Sequence, residues 1–234
     1  MEICRINGQS IYDDKGGFVN CDCMDAIREF PVKFFDLAIV DPPYGININM
    51  NMGRKKGEAK KHDEKAWDNS IPNEEYFKEL FRVSENQIIW GGNYFSLPTS
   101  QGWIYWHKFV AEGVSFSDGE LAWTSFPRAL KEARIPYAGF VGCEERIHPT
   151  QKPVKLYEWI LKNYANRGDK ILDTHVGSAS SLIACHRMGF EAWGFELDAD
   201  YHKAASERLA REKATTPLFA PQEIYKQEGL TFDE

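Results

Sequence analysis

The sequence predicts an α/β fold, a mostly parallel sheet with helices on both faces, and three observations carry that prediction. Residues 18–23 and 36–40 read as short strands flanking 24–30, where apolar side chains recur at helical spacing. Toward the other end the order repeats, with a strand at 170–173, a glycine-containing turn, a helix at 182–188 and a strand at 192–196. Alternation of this kind sets crossover helices against a parallel sheet. Third, the strands of both units run into an acid: Asp22, Asp41, Asp173 and Glu196. The carboxyl ends of such strands are where open α/β sheets bind ligands. With 234 residues, 43% of them hydrophobic, the chain suffices for one well-filled domain with at most a small insertion.

In order, residues 1–17 are polar and glycine-rich and predict little. Pro31 stops the first helix, and the strand after it runs into Asp41-Pro42-Pro43-Tyr44-Gly45. Proline cannot donate to a ladder and biases the residue before it away from helix. The chain should therefore leave the sheet at Asp41 in a stiff, extended turn with Tyr44 beside the strand end. Pro-Pro alone fits a rigid strand exit; Asp and Tyr bracketing it fit a polar and stacking pocket equally well. Residues 47–70 lose all periodicity and are basic at Arg54, Lys55, Lys56, Lys60 and Lys61. Long structureless segments in compact domains are commonly functional, so this one is read as a mobile basic loop covering whatever binds at the Pro-Pro turn.

Pro72, Glu74 and Glu75 open a helix whose Phe77, Leu80, Phe81 and Val83 fall at amphipathic spacing. Residues 87–90, 102–106 and 120–126 read as strands, and Gly91-Gly92-Asn93 as the exit from the first. Segments 108–118 and 127–147 show no strong period, the second offering Arg128, Lys131, Arg134 and Arg146 for phosphate. His148-Pro149-Thr150-Gln151-Lys152-Pro153 enters a helix at 154–164. The final helix, 199–215, places Tyr201, Ala205 and Leu209 on one face, and an acidic tail follows from 217.

Composition narrows the function classes. No apolar run approaches the ~20 residues of a membrane span, and the first residues lack the apolar core of a signal peptide, so no membrane role is expected. Five scattered cysteines suit a reduced, cytoplasmic setting. Cys21 and Cys23 lack a second Cys/His pair at finger spacing and are read as small strand residues, not zinc ligands. The formal net charge of -7 argues against nucleic acid, whose binding is driven by Lys and Arg. Net charge averages over faces, however, and the basic stretch at 54–61 can overrule it locally. There is no Ser-His-Asp order, no metal-ligand cluster and no Cys with an activating base, which disfavours nucleophilic and metal catalysis. The turn after Asp173 is neither a P-loop nor a complete G-x-G-x-x-G, which favours a nucleoside cofactor without a pyrophosphate.

Asp41-Pro42-Pro43-Tyr44, then His148 to Pro153, then Asp173-x-x-x-Gly177-Ser178 together resemble the β-group of S-adenosylmethionine-dependent DNA amino-methyltransferases, the adenine-N6 and cytosine-N4 family. Each motif is modest alone; three in this order are specific, and the resemblance runs from about Cys21 to about Arg211. It implies a Rossmann-like S-adenosylmethionine methyltransferase fold, circularly permuted so that the catalytic turn precedes the cofactor turn. It implies a single domain over 1–234 with a small target-recognition region at about 108–147. S-adenosyl-L-methionine is the implied cofactor and double-stranded DNA the implied partner. Family members often dimerise; a homodimer and a restriction enzyme partner are left open.

Residue by residue, Asp173, Gly177 and Ser178 match the family's cofactor turn, and Glu196 the acid that holds the ribose hydroxyls. Asp22, with Cys23 beside it, matches the position meeting the cofactor adenine. Thr150, Gln151, Lys152 and Pro153 match the motif closing over the methionine part. Asp41, Pro42, Pro43 and Tyr44 match the catalytic turn, with Asp41 also counted at the cofactor. Thr174, His175 and Ala179 stand where the family usually has Pro, Phe and Gly. Alanine tolerates fewer conformations than glycine, so the motif alone does not fix the cofactor affinity; His175 is read as an apolar ring in the Phe position.

The chemistry fits these residues independently. An exocyclic amine is a poor nucleophile because its lone pair is delocalised into the ring. The Asp41 carboxylate and the Pro42 carbonyl can each accept one of its hydrogens, favouring a pyramidal nitrogen and direct in-line transfer. The base must leave the duplex to get there, and Tyr44 can stack on it for ~1–3 kcal/mol. Asp before Pro-Pro-Tyr is commoner in the family's adenine enzymes and Ser in its cytosine-N4 enzymes. The expectation is therefore a site-specific adenine-N6 methyltransferase of duplex DNA. Cytosine N4 is the runner-up, with RNA methylation and a catalytically inactive DNA-binding relic further behind. The basic loop should supply charge for the DNA backbone, and the irregular segments between 108 and 146 should read sequence.

Overall fold

A computed structural model describes residues 5–6, 9–10, 16–46, 71–110, 117–137, 146–148 and 150–215. The basic-loop residues Arg54, Lys55, Lys56, Lys60 and Lys61 lie outside the described residues, as does the acidic tail. A two-stranded antiparallel ribbon, β1 (Arg5–Ile6) and β2 (Gln9–Ser10), precedes the main body. There follow β3 (Gly16–Asn20), α1 (Cys23–Ile27), β4 (Phe35–Val40), α2 (Glu74–Val83), β5 (Ser84–Trp90), β6 (Trp103–His107), β7 (Gly119–Thr124) and β8 (Lys131–Arg134). The chain continues with α3 (Val154–Tyr164), β9 (Lys170–Asp173), α4 (Ser180–Met188), β10 (Glu191–Glu196) and α5 (Ala199–Ala214).

β3 to β10 form one eight-stranded sheet in the order β3-β10-β9-β4-β5-β7-β6-β8. Every pairing is parallel except those that β7 makes with β5 and β6, so β7 alone runs against the rest. Alternate side chains of the central strands enter two different cores. Leu37, Ile39, Ile88 and Trp90 pack with α3, α4 and α5; Phe35, Ala38, Val40 and Ile89 pack with α1 and α2. A sheet covered on both faces needs strands apolar on both sides, which is why β4 reads as an unbroken apolar run after Asp36. The expected helices on both faces are present.

From β9 the chain crosses outward to β10, and from β4 it crosses the other way to β5. The two paths diverge between β9 and β4. The crevice at the carboxyl ends of those two strands is where a doubly wound sheet accepts a ligand.

Several boundaries differ from expectation for local reasons. The first sheet strand ends at Asn20, not at residue 23, because the Asp22 side chain accepts the Met24 N–H at 2.8 Å and caps α1. Cys21 and Cys23 therefore occupy the turn and the first helical residue rather than a strand. β8 lies in a stretch that reads as irregular: it is an edge strand with only Ala133 buried, so no alternation marks it. β7 and β8 thus place part of the expected recognition segment 108–147 in the sheet itself.

Candidate active site

β9 and β10 build one side of the crevice. β9 ends on Asp173, whose buried carboxylate accepts the His175 N–H at 3.0 Å and the Ser181 hydroxyl at 2.5 Å. Burial pushes this carboxyl up to about 7. The turn then passes through two left-handed residues, Gly177 (φ 55°) and Ala179 (φ 63°), before α4 begins. A left-handed alanine costs roughly 1–2 kcal/mol. The Ala179 methyl is fully buried, and burying a CH₂-sized group returns about 0.8 kcal/mol, which offsets part of that cost. From α5, the buried Arg208 donates to the Ser178 carbonyl at 2.6 Å and to the Ser180 hydroxyl at 3.0 Å, tying the turn down.

Glu196 ends β10 and accepts two backbone N–H groups, Gly177 at 2.9 Å and Asp198 at 2.9 Å, one on each oxygen. Burial raises its carboxyl despite those bonds. Next to it Leu197 is 71% exposed, yet it lines the cavity with Tyr201. The His148 ring packs edge-on to Tyr201 at 4.4 Å and lies 3.7 Å from where a Cβ on Gly177 would stand. The enclosing pocket pushes the His175 imidazole down to about 4, so the ring is neutral at pH 7. It packs edge-on to Tyr76 at 5.4 Å and meets the Thr174 hydroxyl at 2.9 Å. A neutral ring packed edge-on against an aromatic agrees with its reading as a stand-in for phenylalanine.

β4 supplies the other side. Past Val40 the chain turns through Asp41, Pro42, Pro43 and Tyr44, and the Tyr44 hydroxyl folds back to donate to Asp41 Oδ1 at 2.6 Å. Burial, then the nearby Asp41 charge, pushes that hydroxyl well up, so it stays protonated. The Tyr44 ring stacks on Tyr94 at 5.0 Å and 15°. Gly91, left-handed at φ 67°, leaves room for it; a Cβ there would lie 2.2 Å from the ring. Lys152, only 4% exposed, donates to Asp41 Oδ2 at 2.5 Å and reaches Glu120 Oε2 at 3.0 Å. The second Glu120 oxygen holds Lys108. Burial alone would raise the Glu120 carboxyl, but the Lys152 and Lys108 ammonium groups outweigh it and hold it at about 2. Burial works against the Lys152 charge in the same way, and Asp41 and Glu120 outweigh it, keeping the ammonium protonated.

The crevice is a cavity of about 660 Å³. Of the residues singled out in the sequence, Asp22, Cys23, Asp41, Pro42, Pro43, Tyr44, Thr150, Gln151, Lys152, Gly177, Ser178 and Glu196 all line it. Asp173 and Pro153 stand outside the lining, the first bracing the turn and the second capping α3. Lys152, expected near the cofactor's methionine part, directs its ammonium at the Asp41 carboxylate. Sequence reasoning missed Glu120, Tyr157, Leu197 and Tyr201 as lining residues. For Glu120 there was a weak signal: an acid at the head of the apolar run Leu121-Ala122-Trp123. Among the described residues no three His, Cys, Asp or Glu side chains are grouped to hold a metal. Chemically, the arrangement joins a nucleoside-sized cleft to a fixed carboxylate beside an aromatic ring.

Residues 89–207, just over half of the chain, match the family model described as DNA methylase. The type II methyltransferase M.HpaI of Haemophilus parainfluenzae is 24% identical over 239 residues, covering 82% of this chain and 73% of that one. Among solved structures, an M1.HpyAVI–S-adenosylmethionine complex superposes with a TM-score of 0.52 at 20% identity, covering 82% of this chain and 98% of that one. The cytosine-N4-specific PvuII DNA methyltransferase superposes with a TM-score of 0.55 at 13% identity and 90% coverage of both chains. Both structures share the fold described above.

Proposed function

The chain belongs to the DNA methylase family of N6 and N4 amino-methyltransferases, and on that premise we propose that it methylates the exocyclic N6 of adenine in duplex DNA, using S-adenosyl-L-methionine. The observation that carries this reading is the Asp41 carboxylate, fixed by Tyr44 and Lys152 at the switch point and opening onto a cavity suited to a nucleoside.

The residues present fit the cofactor. Glu196 is oriented by two backbone N–H groups and keeps lone pairs for a ribose diol. Leu197 is an exposed apolar side chain inside the pocket, matched to a purine face. Thr150, Gln151, Gly177 and Ser178 would enclose the amino-acid part, and Asp22 with Cys23 the adenine. Bound there, S-adenosylmethionine supplies an electrophilic sulfonium methyl.

The chain's own residues do the rest. Asp41 accepts one hydrogen of the target amine and the Pro42 carbonyl the other, turning the nitrogen lone pair out of the ring's conjugation. Tyr44 stacks on the flipped base from the cavity side, its other face being backed by Tyr94. The Pro-Pro turn keeps both acceptors rigid, so positioning and electrostatics carry the rate. Asp41 is also the acceptor for the proton that the methylated nitrogen sheds. Sequence reading falls to segments 108–118 and 127–147, and backbone charge to the loop around Arg54 to Lys61.

A second reading, cytosine N4, draws support from the fold shared with the PvuII enzyme, since a carboxylate and a carbonyl can receive either amine. Incubation with labelled cofactor and mixed-sequence duplex DNA, followed by mass spectrometry of the digested nucleosides, separates the two. N6-methyladenine is the expected product; N4-methylcytosine overturns the adenine reading, and an unmodified digest overturns both.

A further inference from the structure

The carboxylate that completes the catalytic turn belongs to none of the sequence motifs. Glu120 is the second residue of β7, the strand that runs against the others. Its carboxylate sits between two ammonium groups, with Lys108 on Oε1 and Lys152 3.0 Å from Oε2. Lys152 then binds Asp41 Oδ2, and Tyr44 binds Asp41 Oδ1. The row Lys108, Glu120, Lys152, Asp41 alternates in charge and is assembled from the end of β6, from β7, from the segment entering α3 and from the turn after β4.

Resting on the methyl-transfer reading above, we propose that Glu120 is a positioning residue that fixes Lys152 and thereby keeps the Asp41 carboxylate open to the target amine. The ammonium donates to Asp41 at 2.5 Å and to the Tyr44 hydroxyl at 3.3 Å, while Glu120 Oε2, 3.0 Å away and without a hydrogen-bond partner, holds it as the second anion of an ion pair. The Trp90 and Tyr44 rings lie beside the ammonium, 5.2 and 5.8 Å from their centroids. Asp41 has about four acceptor sites; Tyr44 and Lys152 take two, and two remain for an amine. Without the Glu120 charge, Lys152 would be balanced by Asp41 alone. The ammonium would swing further onto Asp41, occupy its free lone pairs and rotate its plane. A nearby buried cation with one anion is also a stronger competitor for that carboxylate than one shared between two.

The test compares the full chain with Glu120→Gln and Glu120→Asp. Transfer is measured as a single turnover onto mixed-sequence duplex DNA amplified in vitro, and hence unmodified, at saturating S-adenosylmethionine and DNA. A misplaced acceptor should slow Glu120→Gln by about 10²-fold, with the cofactor dissociation constant from titration calorimetry unchanged within about twofold. Glu120→Asp, which keeps the charge, should recover a large part of the rate. A Glu120→Gln rate equal to the parent's overturns the proposal. So does a rate that falls only in step with cofactor affinity and thermal midpoint, because Glu120 would then be merely structural.

A second measurement needs no activity: the nitrogen resonance of the Lys152 ammonium. It should be in slow exchange in the parent and broadened in Glu120→Gln; an unchanged signal overturns the positioning role. If the parent leaves amplified DNA unmodified, the methyl-transfer reading falls by itself and the ammonium signal alone decides whether Glu120 fixes Lys152.

Discussion

At the scale of single residues, Asp41 and Tyr44 carry distinct burdens. Asp41→Ala removes the only acceptor in the turn that is both charged and held by two neighbours. By comparison with losing one transition-state hydrogen bond, transfer should fall by about 10²–10³-fold or more. Cofactor binding measured by calorimetry should change by only a few-fold, since Glu196 and the 173–178 turn are untouched; substantial residual turnover would remove Asp41 from its role. His175 and Asp173 make a pH prediction with opposing signs. The His175 pKa is lowered from 6.5 to about 4, so its contribution is present above pH 6.5 and lost as pH falls toward 4. The Asp173 pKa is raised from 3.8 to about 7, so its contribution is present below pH 3.8 and lost as pH rises toward 7. Between pH 4 and 6.5 the two offset one another. His175→Phe removes one of them, so urea midpoints of that variant should rise as pH falls from 6.5 to 4, relative to the parent. Parallel profiles would show that His175 is not desolvated as described. Both residues were legible as members of a turn; their pKa shifts were not, because burial is set by Tyr76, α4 and β10 packing around them.

Among the elements, the strands and helices that carry strong periodicity were readable, and those defined only by pairing were not. β4 and β9 announce themselves by short apolar runs ending in acids, and α2 and α3 by their apolar spacing. β8 carries Lys-Glu-Ala-Arg, which has no strand signature; its existence depends on the free edge of β6. The left-handed entry to α4 could be suspected from Gly177, whereas Ala179 gives no local signal and is held there by its surroundings. One of those surroundings is α5. Its Arg208 is buried beside a face for which the sequence suggested Tyr201, Ala205 and Leu209, and it ties the last element of the fold to the 173–178 turn. Arg208→Leu leaves the Ser178 carbonyl without this donor, at a cost of about 1–3 kcal/mol. The thermal midpoint should fall by roughly 2–4 °C for each kcal/mol in a chain of this size. Cofactor affinity should fall with it, because the turn that α5 braces forms a wall of the cavity. A variant with a lowered midpoint and undiminished affinity would separate the turn's anchoring from its shape.

For the whole molecule, charge is the property in tension with function. A formal net charge of -7 repels a polyanion at long range, yet a DNA methylase must hold DNA long enough to extract a base. The resolution lies in distribution. Arg54, Lys55, Lys56, Lys60 and Lys61 place five of the 28 basic residues within eight positions, shortly after the Asp41–Tyr44 turn in the sequence. If that cluster supplies most of the phosphate neutralisation, the logarithm of DNA affinity should fall linearly with the logarithm of salt, with a slope of about -0.9 per phosphate neutralised. Replacing all five by glutamine should make that slope shallower by about one unit for each phosphate no longer neutralised. Single-turnover transfer at saturating DNA and low salt should then stay close to the parent's, because Asp41, Lys152 and Glu120 are untouched. An unchanged slope in fluorescence-anisotropy titrations would mean that the phosphates are met instead by Arg128, Lys131 and Arg134 along the β8 edge. The net negative charge would then be balanced by the sheet edge rather than by the cluster at 54–61.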